Sequence, residues 1–327
     1  MRYKAAEKRE VIDLVEHSSL SVRRTLDRLG IPKSTFYGWY ERYREGGDAA
    51  LEDTRPSGGK VWNRLPKKTR QSILKLALER PELSARELAV LYTERHRYFV
   101  SESTVYRLLK AHDLITSPAF ILMKAADTFQ HPTTAPNQLW QTDFTYLKVI
   151  GWGWFYLSTV LDDYSRYILV WKLCDGMTAG DVSDTLSLAL ESSGLGTAKV
   201  RHRPRLLSDK GPSYVSAELR DWLDDQDMDH TRGAPYHPMT QGKIERWHRS
   251  MKNQVLLENY YLPGELKARI GAFVDNYNTD RYHESLKNLT PEDVCTGCGQ
   301  TVLNRRRRIK QKTLAEGRRL YYQQKAA

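Results

Sequence analysis

Apolar residues recur at helical spacing through the first third of the chain. Between Glu10 and His17, Val11, Leu14 and Val15 line one face. Ser21 is placed to cap a helix ending at Leu29, Gly30-Ile31-Pro32 breaks it, and another helix follows from about Lys33 to Arg44. Lys33, Ser34, Thr35 and Tyr37 occupy its opening turns. The pattern predicts a helix-turn-helix over residues 1–45, with those four side chains on the reading helix. Residues 46–66, rich in Gly, Pro and Ser, read as a linker, with Arg55 and Lys60 suited to follow a nucleic-acid groove.

A second helical pattern follows over residues 67–115. It has a helix from about Lys67 to Glu79, a capping box at Ser84-x-x-Glu87, a short strand at Tyr98–Val100 and a helix from about Ser103 through Lys110. This suits a second helix-turn-helix or winged-helix-like unit, with Ser103, Thr104 and Arg107 as its contacts. Pro118, Pro132 and Pro136 mark residues 116–136 as a connector.

From residue 137 the period changes. Trp140–Ile150 is aromatic and β-branched, Gly151-Trp152-Gly153 makes a turn, and Trp154–Asp163 returns as a second strand. Further elements are a strand at Tyr167–Leu173, a helix near Thr178–Ser193, a strand at Arg205–Leu207, a helix near Ser213–Gln226, a short strand near Met228–Arg232 and a long helix near Thr240–Glu258. These predict a five-stranded mixed α/β sheet in residues 137–294, behind N-terminal all-α units.

Charge changes the picture more than composition does. Hydrophobic residues at 40% and aromatics at 10% are ample for packed cores and argue against a mainly disordered chain. No apolar run approaches the roughly 18 residues of a membrane span, and the first residues lack a signal-peptide core. The net charge is +11, but residues 137–290 are net −2 while the flanks carry +13. A polyanionic partner suits the flanks, and the acidic centre requires another explanation.

Three central acids supply one. Asp143 lies on the first strand, Asp209 follows the fourth, and Glu245 lies on the long helix with 35 residues between it and Asp209. On that helix Gln241, Glu245, His248, Arg249 and Lys252 share one side, while Ile244, Trp247, Met251 and Val255 form an apolar stripe. An oxygen-only ligand set favours Mg²⁺ or Mn²⁺, and two such ions can activate water or a 3′-hydroxyl for in-line displacement at phosphorus.

At these residues the chain resembles DDE-type bacterial insertion-sequence transposases with a retroviral-integrase-like core. Trp140-Gln141-Thr142-Asp143-Phe144-Thr145 resembles the first acidic motif, and Leu161-Asp162-Asp163-Tyr164-Ser165-Arg166 the block ending the second strand. Ser208-Asp209-Lys210-Gly211-Pro212 resembles the second acidic motif, and the run from His237 to Arg246 the third. Tyr277-Asn278, Arg281-Tyr282-His283 and Thr290-Pro291 match the C-terminal signature. The resemblance implies an RNase H-like fold and a metal-binding catalytic triad of Asp143, Asp209 and Glu245 with two Mg²⁺ ions. It further implies hydrolysis that frees 3′-OH groups, and strand transfer into target DNA. It implies terminal-repeat reading by the helix-turn-helix units, a homodimer or larger assembly on double-stranded DNA, no membrane association, and a bacterial cytoplasmic, nucleoid-associated setting. Lys210 departs from the group's usual Asn.

Around the triad, Lys210, His237, Gln241, Lys243, Arg249 and Lys252 are the expected DNA contacts. Arg305, Arg306, Arg307 and Arg308 are others, in a basic tail over residues 295–327. Asp162 and Asp163 are expected to end their strand and pair with Arg166, and Trp152 and Trp154 to pack within the hairpin. Cys295-x-x-Cys298 lacks the second ligand pair of a zinc site. A catalytically silent DNA-binding regulator using the α/β region for assembly is the alternative of a different class; three intact acids favour the enzyme.

Overall fold

The computed structural model describes residues 3–18, 20–52, 62–115, 133–195, 203–233 and 241–326. Arg55, Lys60 and His237 lie outside them. The chain divides into two compact units, Met1–Arg64 with Gly317–Ala327, and Leu65–Glu316. No helix among the described residues is long and apolar enough to cross a membrane.

The first unit contains α1 (Ala5–His17), α2 (Val22–Leu29), α3 (Lys33–Gly46) and a 3₁₀ turn at Asp48–Leu51. Ile12, Leu26, Phe36 and Leu51 are buried at its centre with Trp39. Gly30 ends α2 in the left-handed region at φ +67°, where a side chain would be strained. At the start of α3, Lys33, Ser34 and Tyr37 are exposed and Thr35 is half-buried. The apolar positions of α3 are thus spent inward and its polar start is left outside.

In the second unit, α4 (Lys67–Glu79), α5 (Ala85–His96) and α6 (Glu102–Lys110) pack around Ile73, Leu88, Tyr92 and Val105. Ser84 caps α5 with the reciprocal Glu87 bond expected of a capping box. The strand expected at Tyr98–Val100 does not form. Hydroxyls take its backbone donors instead: Phe99 N–H donates to Thr313 Oγ1 at 3.0 Å and Val100 N–H to Thr93 Oγ1 at 3.4 Å. Ser103 and Arg107 are exposed on α6, and Thr104 is half-buried against Ser101 Oγ at 2.8 Å.

The sheet consists of β1 (Leu139–Val149), β2 (Gly153–Asp162), β3 (Ile168–Cys174), β4 (Arg205–Ser208) and β5 (His230–Arg232), in the order β3-β2-β1-β4-β5. β1, β2 and β3 are antiparallel neighbours, whereas β4 and β5 continue the sheet in parallel with β1. This is the expected five-stranded mixed sheet of an RNase H-like core. One face packs Trp140, Val160 and Leu206 against α7 (Ala179–Ser192) and the helices that follow β4. The predicted helix after β4 is split into α8 (Pro212–Val215) and α9 (Ala217–Asp225), because Ser216 adopts an extended conformation and caps α9. The opposite face packs Leu147, Val149, Leu157 and Leu161 against α10 (Gly242–Val255) and α11 (Pro263–Thr279). The pattern reading above does not include α11, although it completes that core with Leu266, Ile270, Phe273 and Tyr277.

After α12 (Pro291–Cys295), the expected basic tail is a single helix, α13 (Gly299–Ala326). Val302, Ile309 and Thr313 are buried along it, at spacings of seven and four residues. Arg306 is 14% exposed and its Nε donates to Glu94 Oε1 of α5 at 2.8 Å, so this arginine is committed inside the protein. Tyr282 O–H donates to the same carboxylate at 2.6 Å. Arg305 lies 3.5 Å from Glu94 and is half-exposed, while Arg307 and Arg308 face solvent.

Part of the C-terminal signature also has a structural role. Asn278 is buried on α11 and acts as an extra rung for the edge strand β3: its Nδ2 donates to Ile168 O at 3.0 Å and its Oδ1 accepts from Ile168 N at 2.9 Å. Replacing it leaves two buried backbone groups without partners. Asn278→Leu is expected to lower unfolding stability by roughly 2–4 kcal/mol in urea denaturation, with α-helical content unchanged before the transition.

Candidate active site

The parallel ladder of β1 and β4 is only three residues long and ends at Gln141↔Leu207. Asp143 and Asp209 each lie two residues beyond that last rung, Asp143 on β1 and Asp209 just past the end of β4. Side chains alternate along a strand, so Asp143 projects on the side of Gln141, which is the side α10 covers, and its charge acts on Asp209. Where the strands part, their backbones no longer pair and the two carboxylates face the same opening.

α10 brings the third acid. Ile244, Trp247, Met251 and Val255 are buried against the sheet, leaving Glu245 exposed. A buried polar network sets the position of its first turn. Gln141 Oε1 accepts from Ile244 N at 3.2 Å, and Gln141 Nε2 donates to Asp163 Oδ1 at 2.8 Å. Lys243 Nζ lies 2.7 Å from Asp163 Oδ2 and donates to Asp163 O at 3.0 Å. Thr133 Oγ1 donates to Asp163 Oδ2 at 2.7 Å, and Gln241 Nε2 donates to Thr142 O at 3.4 Å. The helix is therefore held both to the strand bearing Asp143 and to the end of β2.

This network corrects several sequence expectations. Gln241 and Lys243 turn inward to protein groups. Asp163 pairs with Lys243, and Arg166 N donates to Asp162 O. Asp162 does end its strand: its carboxylate accepts from Asn137 N at 2.7 Å and from Ser165 N and Oγ at 2.7 and 2.6 Å. Trp152 is exposed at the turn, while Trp154, also largely exposed, packs edge-on against Tyr146 across the hairpin as expected. Arg249 and Lys210 remain exposed.

The acids lie in one electrostatic field. Asp209 is raised above the usual carboxylate range by burial and by the charge of Asp143, against a lowering bond from Gly211 N–H. Glu245 is raised by burial and by the same Asp143, opposed by Arg249, His248 and Arg246. Asp143 is thus the common neighbour of the other two. Its Oδ2 lies 3.4 Å from Nδ1 of the buried His248, one helical turn after Glu245. Gly211 holds Asp209 closely, its N–H donating to Oδ1 at 2.9 Å, and a Cβ at position 211 would stand 3.1 Å from that oxygen.

Hard, oxygen-only carboxylates, two of them raised by the charge of Asp143, fit a divalent cation, which relieves that repulsion. Among the described residues, no three His, Cys, Asp or Glu side chains are drawn together tightly enough to hold a metal ion. The convergence is electrostatic.

The comparisons with known proteins agree with this geometry. Residues 133–238 and 226–291 match two families described as integrase core domains, and residues 2–52 and 35–109 match homeodomain-like domains. Together the two integrase-core matches span residues 133–291. The chain is 29% identical over 164 residues to the transposase InsF for insertion sequence IS3A of Escherichia coli (strain K12), a match covering 49% of this chain and 54% of that protein. It therefore spans about half the length of the curated relatives it matches. Over 121 residues it is 30% identical to the Gag-Pro-Pol polyprotein of sheep pulmonary adenomatosis virus, covering 37% of this chain and 6% of that one. Among solved structures it is similar to the HTLV-2 integrase catalytic core domain in complex with magnesium, at 21% identity and a TM-score of 0.39, over 49% of this chain and 97% of that one. The chain thus resembles an insertion-sequence transposase with a retroviral-integrase-like core.

Sequence reasoning missed the roles of Gln141 and His230, the pairing of Asp163 with Lys243 and the contact of His248 with Asp143. Gln141 was accessible in principle, because it precedes Asp143 by one strand period. Within the integrase core, His230 on β5 lies 2.8 Å from Ser208 Oγ, next to Asp209. Burial, reinforced by Arg232, lowers its pKa to about 4.

Two predictions test this framework. Lys243→Met strands a carboxylate that is 3% exposed. It should cost roughly 3–5 kcal/mol in chemical denaturation, with little change at high salt because the pair is shielded from solvent. His230 has a folded pKa below its unfolded value, so the unfolded state binds the extra proton first as the pH falls. Stability should drop between about pH 6.5 and about pH 4, and His230→Gln should flatten the dependence of the melting temperature on pH in that window.

Proposed function

We propose that this chain is a DNA transposase that cuts phosphodiester bonds at the ends of an insertion sequence, frees 3′-OH groups and joins them to target DNA. The observation that carries this reading is the placement of Asp143 and Asp209 two residues past the same ladder rung, with Glu245 held opposite by α10. The integrase core and the similarity to insertion-sequence transposases support it.

In this reading Asp143, Asp209 and Glu245 hold two Mg²⁺ ions, with Mn²⁺ as a substitute. When bound, the ions lower the pKa of a nucleophilic water or 3′-hydroxyl and offset charge at the leaving oxygen. The protein's own contribution is placement. The Gln141–Asp163–Lys243 network fixes the first turn of α10, so Glu245 approaches Asp143 without a search through helix positions. His248 restrains the Asp143 carboxylate, and Gly211 N–H restrains that of Asp209. Arg249, Lys210 and Lys252 meet the DNA backbone near the acids. The first turns of α3 and α6 read the terminal inverted repeats through Lys33, Ser34, Thr35 and Tyr37 and through Ser103, Thr104 and Arg107. Joining two ends at once calls for a dimer or larger assembly on the DNA.

A plasmid carrying cognate ends, incubated with the protein and Mg²⁺, tests the reading. Wild type should give cleaved and end-joined products. Asp143→Asn should abolish both, with end binding in gel shift changed less than about threefold. Joint loss of binding and cleavage would defeat the separation of roles, and the same absence of products from wild type and Glu245→Gln would defeat the enzyme. Cleavage without joining would leave a nuclease.

A further inference from the structure

Beyond Gln141 the edge of β1 away from β2 has no strand beside it among the described residues, because β4 pairs only as far as Gln141. The even-numbered face of the β1–β2 hairpin past this point carries large aromatics left in solvent: Tyr146 is 58% exposed and Trp154 53%, with Trp152 at the turn at 61%. Tyr146 meets the Trp154 indole edge-on, ring centres 5.4 Å apart at 79°. Two cations stand over these rings, Lys148 Nζ at 5.9 Å from the Trp154 centroid and Lys252 Nζ at 4.2 Å from that of Tyr146. Lys252 belongs to α10, two helical turns after Glu245, and the charge of Asp143 acts on it. The aromatic face therefore begins one lysine side chain away from the acids.

Exposed aromatics with ammonium groups over them do not suit a dry protein interface, where both lysines would lose water without an anion to replace it. They suit a ligand that alternates flat π surfaces with negative charge. A DNA strand does so, but only an unpaired nucleotide offers a free base face, since in a duplex each face is already stacked.

We propose that the Tyr146–Trp154 face is a stacking platform for an unpaired nucleotide of the DNA strand that runs to the acids. The base lies on the Trp154 indole, Tyr146 supports that ring from its edge, and Lys148 and Lys252 meet the flanking phosphates. The role of the strand as substrate rests on the transposase reading above; the binding itself does not.

The test uses the full chain with Asp143→Asn, which removes cutting, and two DNA probes of one sequence. One is a blunt duplex, and the other carries a short single-stranded tail with 2-aminopurine. The tailed probe should bind more tightly and its fluorescence should be quenched. Trp154→Ala should weaken tailed binding by about fivefold or more, the lower end of the effect of losing one base–aromatic stack, with blunt binding unchanged. Trp154→Phe should retain most of the tailed affinity. Equal loss on both probes, or no loss on either, overturns the platform. A change of oligomeric state in Trp154→Ala with tail binding intact would assign the face to a second copy of the chain and likewise overturn it. Plasmid cleavage by wild type is read separately: tail-dependent binding without cleavage would sink the transposase reading and leave the platform standing.

Discussion

The site depends on where one ladder stops. β1 pairs with β2 from Trp140 to Val149 but with β4 over only three residues, and Asp143 and Asp209 follow that last rung at equal distance. Carboxylates cannot be crowded into a dry core without neutralisation, yet they must stand close to share a cation. Ending the ladder resolves the conflict. Side-chain directions are still fixed by paired backbone just upstream, while the carboxylates themselves reach the margin of the sheet.

The same constraint shapes α10. A helix carrying an acid toward two others meets repulsion from Asp143, and the structure balances this with apolar burial on one side and a saturated polar network at its first turn. Ile244, Trp247, Met251 and Val255 anchor the helix laterally. Gln141 and Lys243 fix its register and rotation through bonds to Ile244 N and to Asp163. Every polar group named in that network has a partner, so the arrangement is rigid. Residues with the look of DNA contacts are used for this internal purpose, and Arg306 is used in a comparable way against Glu94.

Much of the fold could be read directly from the chain. The three helices that open the chain, the capping box at Ser84, the hairpin across Gly151–Gly153 and the succession of five strands all follow from local pattern. Errors arose where a distant group competed for the backbone. Residues 98–100 have strand-like composition, but hydroxyls of Thr93 and Thr313 take their donors. The residues after Asn304 look like a solvated basic run, yet Ile309 and Thr313 give them a buried face. α11 is absent from the expected elements, although it supplies a third of the buried residues of one core.

The sequence by itself determined which residue types are available: three acids on three separate elements, an apolar stripe opposite the third, and basic flanks around an acidic centre. These are legible because strand and helix periods are local properties of covalent geometry. Only the tertiary structure decided which charges remain free for a partner. Lys243 and Arg306 differ from Lys210 and Arg308 in nothing a local pattern can register. What separates them is a carboxylate supplied from far along the chain, Asp163 in one case and Glu94 in the other. Burial of an ion pair is settled by packing across elements, where the cost of desolvation and the gain from a partner are both incurred.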